Sequence, residues 1–298
     1  MDVNSSQELL KNQLFQLLFC FIAAVVTTTA AWIFGFFKKI QKTQNQKFPT
    51  LFLVIKLFII YLFLAFFIGK ITMIVMTKII SLLKLPTSEI SVALLAWSNF
   101  IVLGIITYAL IYIARRSDKV VFSNIWKIKI TKHNSIAKDI FFSCYAWIII
   151  LPIVLLTSQI IDLFNLVVLN IEQTPDQLAV LFLKRTLGHP LYLTLAIISI
   201  VGFTPFLEEI LFRGYLQTYL KKVLGIKASI AVASLTFALF HFSISQGLGN
   251  INIIITLFVL ACFLGYLYER QKSLITPIML HMIFNAISII NLFFFQGV

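Results

Sequence analysis

The sequence predicts an all-α protein, a polytopic bundle of about eight transmembrane helices, on three observations. First, 60% of the 298 residues are hydrophobic and 12% are charged. That leaves too few ionisable groups to cover a water-soluble surface, whereas a bilayer solvates Leu, Ile and Phe directly. Second, the apolar residues fall into runs of about 20, the length of one helical crossing. Third, Lys and Arg sit in short gaps between those runs. The net charge of +13 therefore does not point to nucleic acid as a partner, because a phosphate-binding patch needs several cations converging on one surface. The partner that the composition implies is membrane lipid.

The runs follow in order at 14 to 37, 51 to 69, 92 to 114, 140 to 161, 191 to 212, 228 to 245, 251 to 268 and 275 to 295. The first follows an N-terminal stretch with Asp2, Glu8 and a single Lys11, and it is too long for a signal-peptide core, so it reads as an uncleaved span. The longest polar stretches are 38 to 50, 115 to 139 and 162 to 190; the middle one, with Trp126 among its lysines, suits an interfacial helix. No internal repeat or low-complexity tail is present. Residues 1–190 read as N-terminal membrane spans of unassigned role, and residues 191–298 as the core that carries the chemistry. Cys20, Cys144 and Cys262 each stand alone in an apolar run, which implies neither a disulfide framework nor a metal motif.

Alternating the eight spans sorts the cations into two sets of loops. Seventeen fall on one side: Lys38, Lys39, Lys42, Lys47, Arg115, Arg116, Lys119, Lys127, Lys129, Lys132, Lys138, Arg213, Lys221, Lys222, Lys227, Arg270 and Lys272. Six fall on the other, Lys11, Lys70, Lys78, Lys84, Lys184 and Arg185, while Lys56 lies inside a span. The positive-inside rule makes the basic side cytoplasmic, with both termini outside. The expected location is a bacterial plasma membrane, as a multi-pass integral protein.

An ionisable side chain inside a bilayer costs several kcal/mol unless it is paired or faces a polar cavity, so each one is a functional candidate. Within Thr204-Pro-Phe-Leu-Glu-Glu-Ile-Leu-Phe-Arg-Gly214, Glu209 and Arg213 share a helix face at i, i+4. Glu208 points about 100° away, which leaves it as the carboxylate free to act as a base. The next span carries Phe237 and His241, and the last carries His281 and Asn285, again at i, i+4. The turn around Gly225 lies at similar sequence distances from Glu208 and His241, which puts both about 20 Å along an antiparallel helix pair. His281 comes out somewhat shallower, within reach of the same pocket by an ordinary helix tilt. A carboxylate and an imidazole can polarise a water, and a second imidazole with an amide can stabilise an oxyanion. No HExxH motif is present, so a metal would need ligands gathered from three helices. His189 and His133 read as interfacial.

At these residues the sequence resembles the CPBP family, which includes the type II CAAX prenyl endopeptidases and bacterial bacteriocin-processing or self-immunity (Abi-like) proteins. The family motifs EExxxR, FxxxH and HxxxN occur in order as Glu208, Glu209 and Arg213, then Phe237 and His241, then His281 and Asn285. The flanks match as well, with Pro205, Phe212-Arg-Gly and Gly265-Tyr-Leu-Tyr-Glu-Arg. The match covers roughly residues 198 to 292. The resemblance implies an intramembrane endopeptidase in which Glu208 and His241 activate water and His281 and Asn285 hold the oxyanion, supported by Glu209, Arg213 and Phe237. It implies a protein or peptide substrate, prenylated at a CAAX terminus or carrying a leader peptide. Catalysis by Glu208, His241 and His281 requires no cofactor; the alternative is zinc held by the same three residues. Two other functions compete with proteolysis: a non-catalytic membrane scaffold or immunity protein, and an ion-coupled transporter. The transporter needs a continuous polar path, and the first four spans offer few ionisable groups beyond Lys56.

Overall fold

The computed structural model describes residues 3–40, 47–82, 87–126, 136–169, 171 and 177–295. Lys42, Lys84, Lys127, Lys129, Lys132 and His133 lie outside the described residues. Among the described residues every regular element is helical. The order is α1 (Val3–Ile33), α2 (Leu51–Phe63), α3 (Gly69–Leu82), α4 (Thr87–Ser117), α5 (Lys119–Trp126), α6 (Ile136–Leu169), α7 (Leu178–Arg185), α8 (Pro190–Ile197), α9 (Thr204–Glu209), α10 (Thr218–Leu239), α11 (Gly249–Gln271) and α12 (Ile275–Phe295). Turns of π-helix join some of these into single rods, at Leu64–Ile68 between α2 and α3, Ile198–Phe203 between α8 and α9, and Ile210–Gln217 between α9 and α10.

Among the described residues seven helices are long and apolar enough to cross a membrane, and the chain is an integral membrane protein. One of the seven, Pro190–Leu239, turns back on itself at Gly225, where φ 78 and ψ 176 lie outside the helical range. A side chain at that φ would be strained, so glycine is the residue that makes the hairpin. Counting its two arms gives the eight that the apolar runs predict. Some boundaries shift. The first arm begins at Pro190 and continues well past residue 212, and the second ends at Leu239. Helix α6 spans Ile136–Leu169, longer than the expected 140 to 161. Asp162 ended the apolar run there, yet Leu163, Phe164 and residues 166 to 169 carry the helix on as apolar surface.

The helix expected beside Trp126 exists as α5. Asp118 caps it, its Oδ1 accepting from the Val120 and Val121 amides at 3.0 and 3.1 Å. Its buried face, Val121 and Ile125, packs into a cluster with Leu57 of α2, Leu110 of α4 and Leu207, Phe212 and Tyr215 of the first hairpin arm. A second cluster joins Ala31 and Phe36 to Ile149 and Ile150 of α6, Leu264 and Leu267 of α11 and Leu280 of α12. The helices that carry the three motifs are thus held between two groups of N-terminal helices.

Candidate active site

The site is built where the first hairpin arm, the end of the second arm and α12 converge. Pro205, at the start of α9, has no amide hydrogen to donate, and π-helical turns stand on both sides of α9. Such turns widen the helix and re-aim the side chains next to them. Glu209 is fully buried, and its Oε1 accepts from Arg213 Nη1 at 2.9 Å and from His281 Nδ1 at 3.0 Å. Arg213 also donates from Nη2 to the Ala261 carbonyl of α11 at 3.3 Å and lies 4.4 Å over the Phe237 ring. Beyond each other, the buried pair thus has hydrogen-bonding partners on α11 and α12 and a ring contact on the second hairpin arm, which offset the burial of its charges. Glu209 Oε2, however, is buried with no hydrogen-bond partner among the described residues.

Glu208 faces the other way. Its Oε1 lies 3.7 Å from His241 Nε2, and its Oε2 lies 3.8 Å from His281 Nε2. Both separations exceed hydrogen-bond length, so neither imidazole bonds Glu208 directly. Glu208 Oε2 is buried with no hydrogen-bond partner among the described residues.

Each imidazole is oriented by its other nitrogen. Helix α10 ends at Leu239, so the His241 amide bonds the Ala238 carbonyl instead of continuing the ladder. That leaves the Phe237 carbonyl open, and His241 Nδ1 donates to it at 2.9 Å. His281 Nδ1 meets the Glu209 carboxylate. A carbonyl and a carboxylate can only accept, so in the neutral rings both Nδ1 atoms carry the hydrogen and both Nε2 atoms face Glu208 as lone pairs. Phe237 lies against both rings, with centroids 4.7 Å from His241 and 5.8 Å from His281.

Glu208, His241, His281 and Asn285 line one cavity of about 290 Å³. The rest of its wall is largely aliphatic, including Val154 of α6, Leu183 of α7, Leu260 of α11 and Ile289 of α12, with Gln177, Thr204, Thr256 and Ser288 as polar exceptions. Asn285 does not bond His281; its Nδ2 donates to the Ile200 carbonyl in the π-helical turn at 2.9 Å, leaving one amide hydrogen unassigned. His189 stands outside the cavity, at the N-cap of α8 against Tyr192.

Residues 190–287 match the family model described as type II CAAX prenyl endopeptidase, Rce1-like. The similarity to that family thus lies over the motif region. The matched segment opens at Pro190, the first residue of α8, and contains all seven motif residues. The uncharacterized protein YpbD of Bacillus subtilis (strain 168) is 34% identical over 107 residues, covering 36% of this chain and 47% of that protein. The match thus spans about half of YpbD's length. No solved structure matches.

Around these motif residues the structure adds others that the motifs do not name. Gln217 and Lys221 continue the Glu209, Arg213 stripe at four-residue spacing. Gln217 donates to the Gly265 carbonyl at 3.0 Å and to Glu269 at 3.2 Å, and Lys221 pairs with Glu269 at 3.0 Å. A facing stripe on α11, Ala261, Gly265 and Glu269, receives them. The repeated spacing of four was visible in the sequence; its partner helix was not.

Among the described residues no group of three or more His, Cys, Asp and Glu is arranged as a ready metal site. The donor types of Glu208, His241 and His281 are nevertheless those that zinc takes, and the bonds on both Nδ1 atoms are the kind that orient metal-binding imidazoles.

Proposed function

We propose that this chain is an intramembrane endopeptidase that hydrolyses a peptide bond with water activated by Glu208 and His241. The observation that carries the reading is the convergence of two imidazole Nε2 atoms on the Glu208 carboxylate, at 3.7 and 3.8 Å, on the wall of a mostly apolar cavity. A water seated there gives one hydrogen to Glu208 and directs the other to His241 Nε2. Glu208 takes the proton as the water oxygen bonds to the peptide carbonyl carbon. The C–N bond then breaks as the same proton passes to the leaving amine nitrogen, giving a carboxylic acid and an amine. The remaining Asn285 amide hydrogen, and His281 when its Nε2 carries a proton drawn from bulk water, stabilise the oxyanion. Glu209, Arg213 and Phe237 hold His281 and His241 in place.

If a metal takes part, Glu208, His241 and His281 would hold it, and it would supply a Lewis acid for the carbonyl and an activated water. The aliphatic wall suits a substrate with an apolar portion, a prenylated CAAX terminus or the hydrophobic part of a leader peptide. On this reading the positive-inside rule supports basic loops on the cytoplasmic side of a bacterial plasma membrane.

The test is cleavage of farnesylated CAAX peptides and double-glycine leader peptides by detergent-purified protein, wild type against Glu208→Gln, each with and without chelator. Glu208→Gln should lower the rate by roughly 10²- to 10⁴-fold, the contribution of a general base. Retained activity in that variant would sink the assignment of the base. Loss of wild-type cleavage with chelator, restored by zinc, would move the chemistry to a metal on the same three residues.

A further inference from the structure

A strip of polar side chains enters the same cavity from the end of the bundle that carries residues 240–249. Asp162 and Ser158 are one turn apart on α6, and Asn252 and Thr256 one turn apart on α11. Asn252 Nδ2 donates to Asp162 Oδ1, and Thr256 Oγ1 donates to Asn252 Oδ1 at 2.9 Å. Ser158 Oγ lies 3.3 Å from both Asp162 Oδ2 and Asn252 Oδ1. All four side chains are half-buried. Asn252 stands three residues from the start of α11 at Gly249, and Asp162 seven residues from the end of α6 at Leu169. The strip therefore starts near the helix ends and runs one turn inward. Its inner end, Thr256, lines the cavity with Glu208 and His241.

The strip holds more acceptors than donors. Two hydroxyls and one amide supply four hydrogens, while the carboxylate and the amide oxygen alone offer about six lone-pair positions, and Ser158 has one hydrogen for two acceptors. A clasp between two helices in a bilayer needs only one such bond. Four polar groups in a row, short of donors and ending at a catalytic cavity, suit water, which brings two donors per molecule.

We propose that this strip is the route by which water reaches Glu208, entering from the membrane face that bears residues 240–249. The inference rests on the hydrolase reading only for the use to which the water is put. Water arriving this way meets Glu208 and His241 without crossing the aliphatic wall that receives the substrate.

The test reads water access and not cleavage. In the full chain with Cys20→Ala, Cys144→Ala and Cys262→Ala, Thr204→Cys places a thiol on the cavity wall, one turn before Glu208. Its rate of reaction with a small charged methanethiosulfonate is measured in proteoliposomes. Thr256→Val and Asn252→Leu should each slow labelling by roughly tenfold, the effect of removing one hydrogen-bonding group from a hydrated path, and Thr256→Ser should restore it. Labelling that stays within about twofold in both variants overturns the proposal, as does a loss that Thr256→Ser fails to restore. Each variant's thermal unfolding midpoint is measured alongside, and Thr256→Val, nearly isosteric, keeps the test informative where Asn252→Leu fails to fold. Failure here leaves the Glu208→Gln cleavage test untouched, so the two readings fall separately.

Discussion

Helices α1, α3 and α4 use their polar residues differently from the motif helices. Along the first membrane helix 11% of the most apolar window is buried inside the protein, and along Pro190–Leu239 the figure is 50%. In α1, α3 and α4 the side-chain hydroxyl bonds close within one helix, Thr27 to Ala23, Thr77 to Met73 and Thr107 to Leu103. In the motif region some side-chain bonds also close locally, but several cross between helices: Arg213 to Ala261, Gln217 to Gly265, Thr218 to Tyr268 and His281 to Glu209. Lipid-facing helices satisfy their polar groups locally because hydrocarbon offers no partner. Helices that face one another can share such groups, and sharing fixes the relative positions of their side chains. That second use is what a catalytic site needs.

The contrast can be broken by mutation, most sharply at Arg213. Arg213→Ala removes the cation from Glu209 and leaves a buried carboxylate with His281 alone. It should cost about 3–5 kcal/mol, read as a lowered unfolding midpoint in detergent, and should abolish cleavage with it. A midpoint near wild type would mean that Glu209 is neutral without its partner. Gly265→Ala comes next. An added Cβ would lie 2.6 Å from Gln217 Oε1, and Gln217 is tied by two bonds of its own, so the helices must part slightly, at about 1–3 kcal/mol.

On the N-terminal side the same measurement should register little. Phe15 is 73% exposed on α1, and Phe15→Ala or Thr27→Val should move stability by less than about 0.5 kcal/mol. A larger loss would show that another copy of the chain, or a partner, covers α1.

The smallest effect is electrostatic. Lys47, 2.8 Å from Asp118, together with the Val120 and Val121 amides, holds the Asp118 carboxyl below its ordinary value. A depressed carboxyl contributes stability that is present above its unfolded value and lost as pH falls through the folded one. Between pH 6 and pH 3, wild type should therefore lose slightly more stability than Asp118→Asn. The difference should be under about 1 kcal/mol, because the pair is solvent-exposed, and it should shrink in high salt.

Much of this was legible in the sequence. Apolar runs of crossing length gave the helices, and Gly225 among lysines gave the hairpin. The spacing of Glu209 and Arg213 placed them on one face, where the structure has them bonded at 2.9 Å. Boundaries were less legible: Asp162 looked like the end of a span, but a membrane helix can continue past an acid that Asn252 and Ser158 satisfy from the side. Asn252 and Thr256 passed unnoticed because polar residues in an apolar run carry no signal until a second helix faces them.

Composition and periodicity alone determined that the chain is a membrane bundle, because solvation by lipid and the helical repeat act on each segment separately. Only the tertiary structure decided how the polar residues divide their work. It gave Glu209 to both Arg213 and His281, turned both Nε2 atoms toward Glu208, and anchored Asn285 on the Ile200 carbonyl. Those outcomes depend on helices far apart in the chain meeting at one depth and one rotation, which is set by the packing of the whole bundle and not by any single helix.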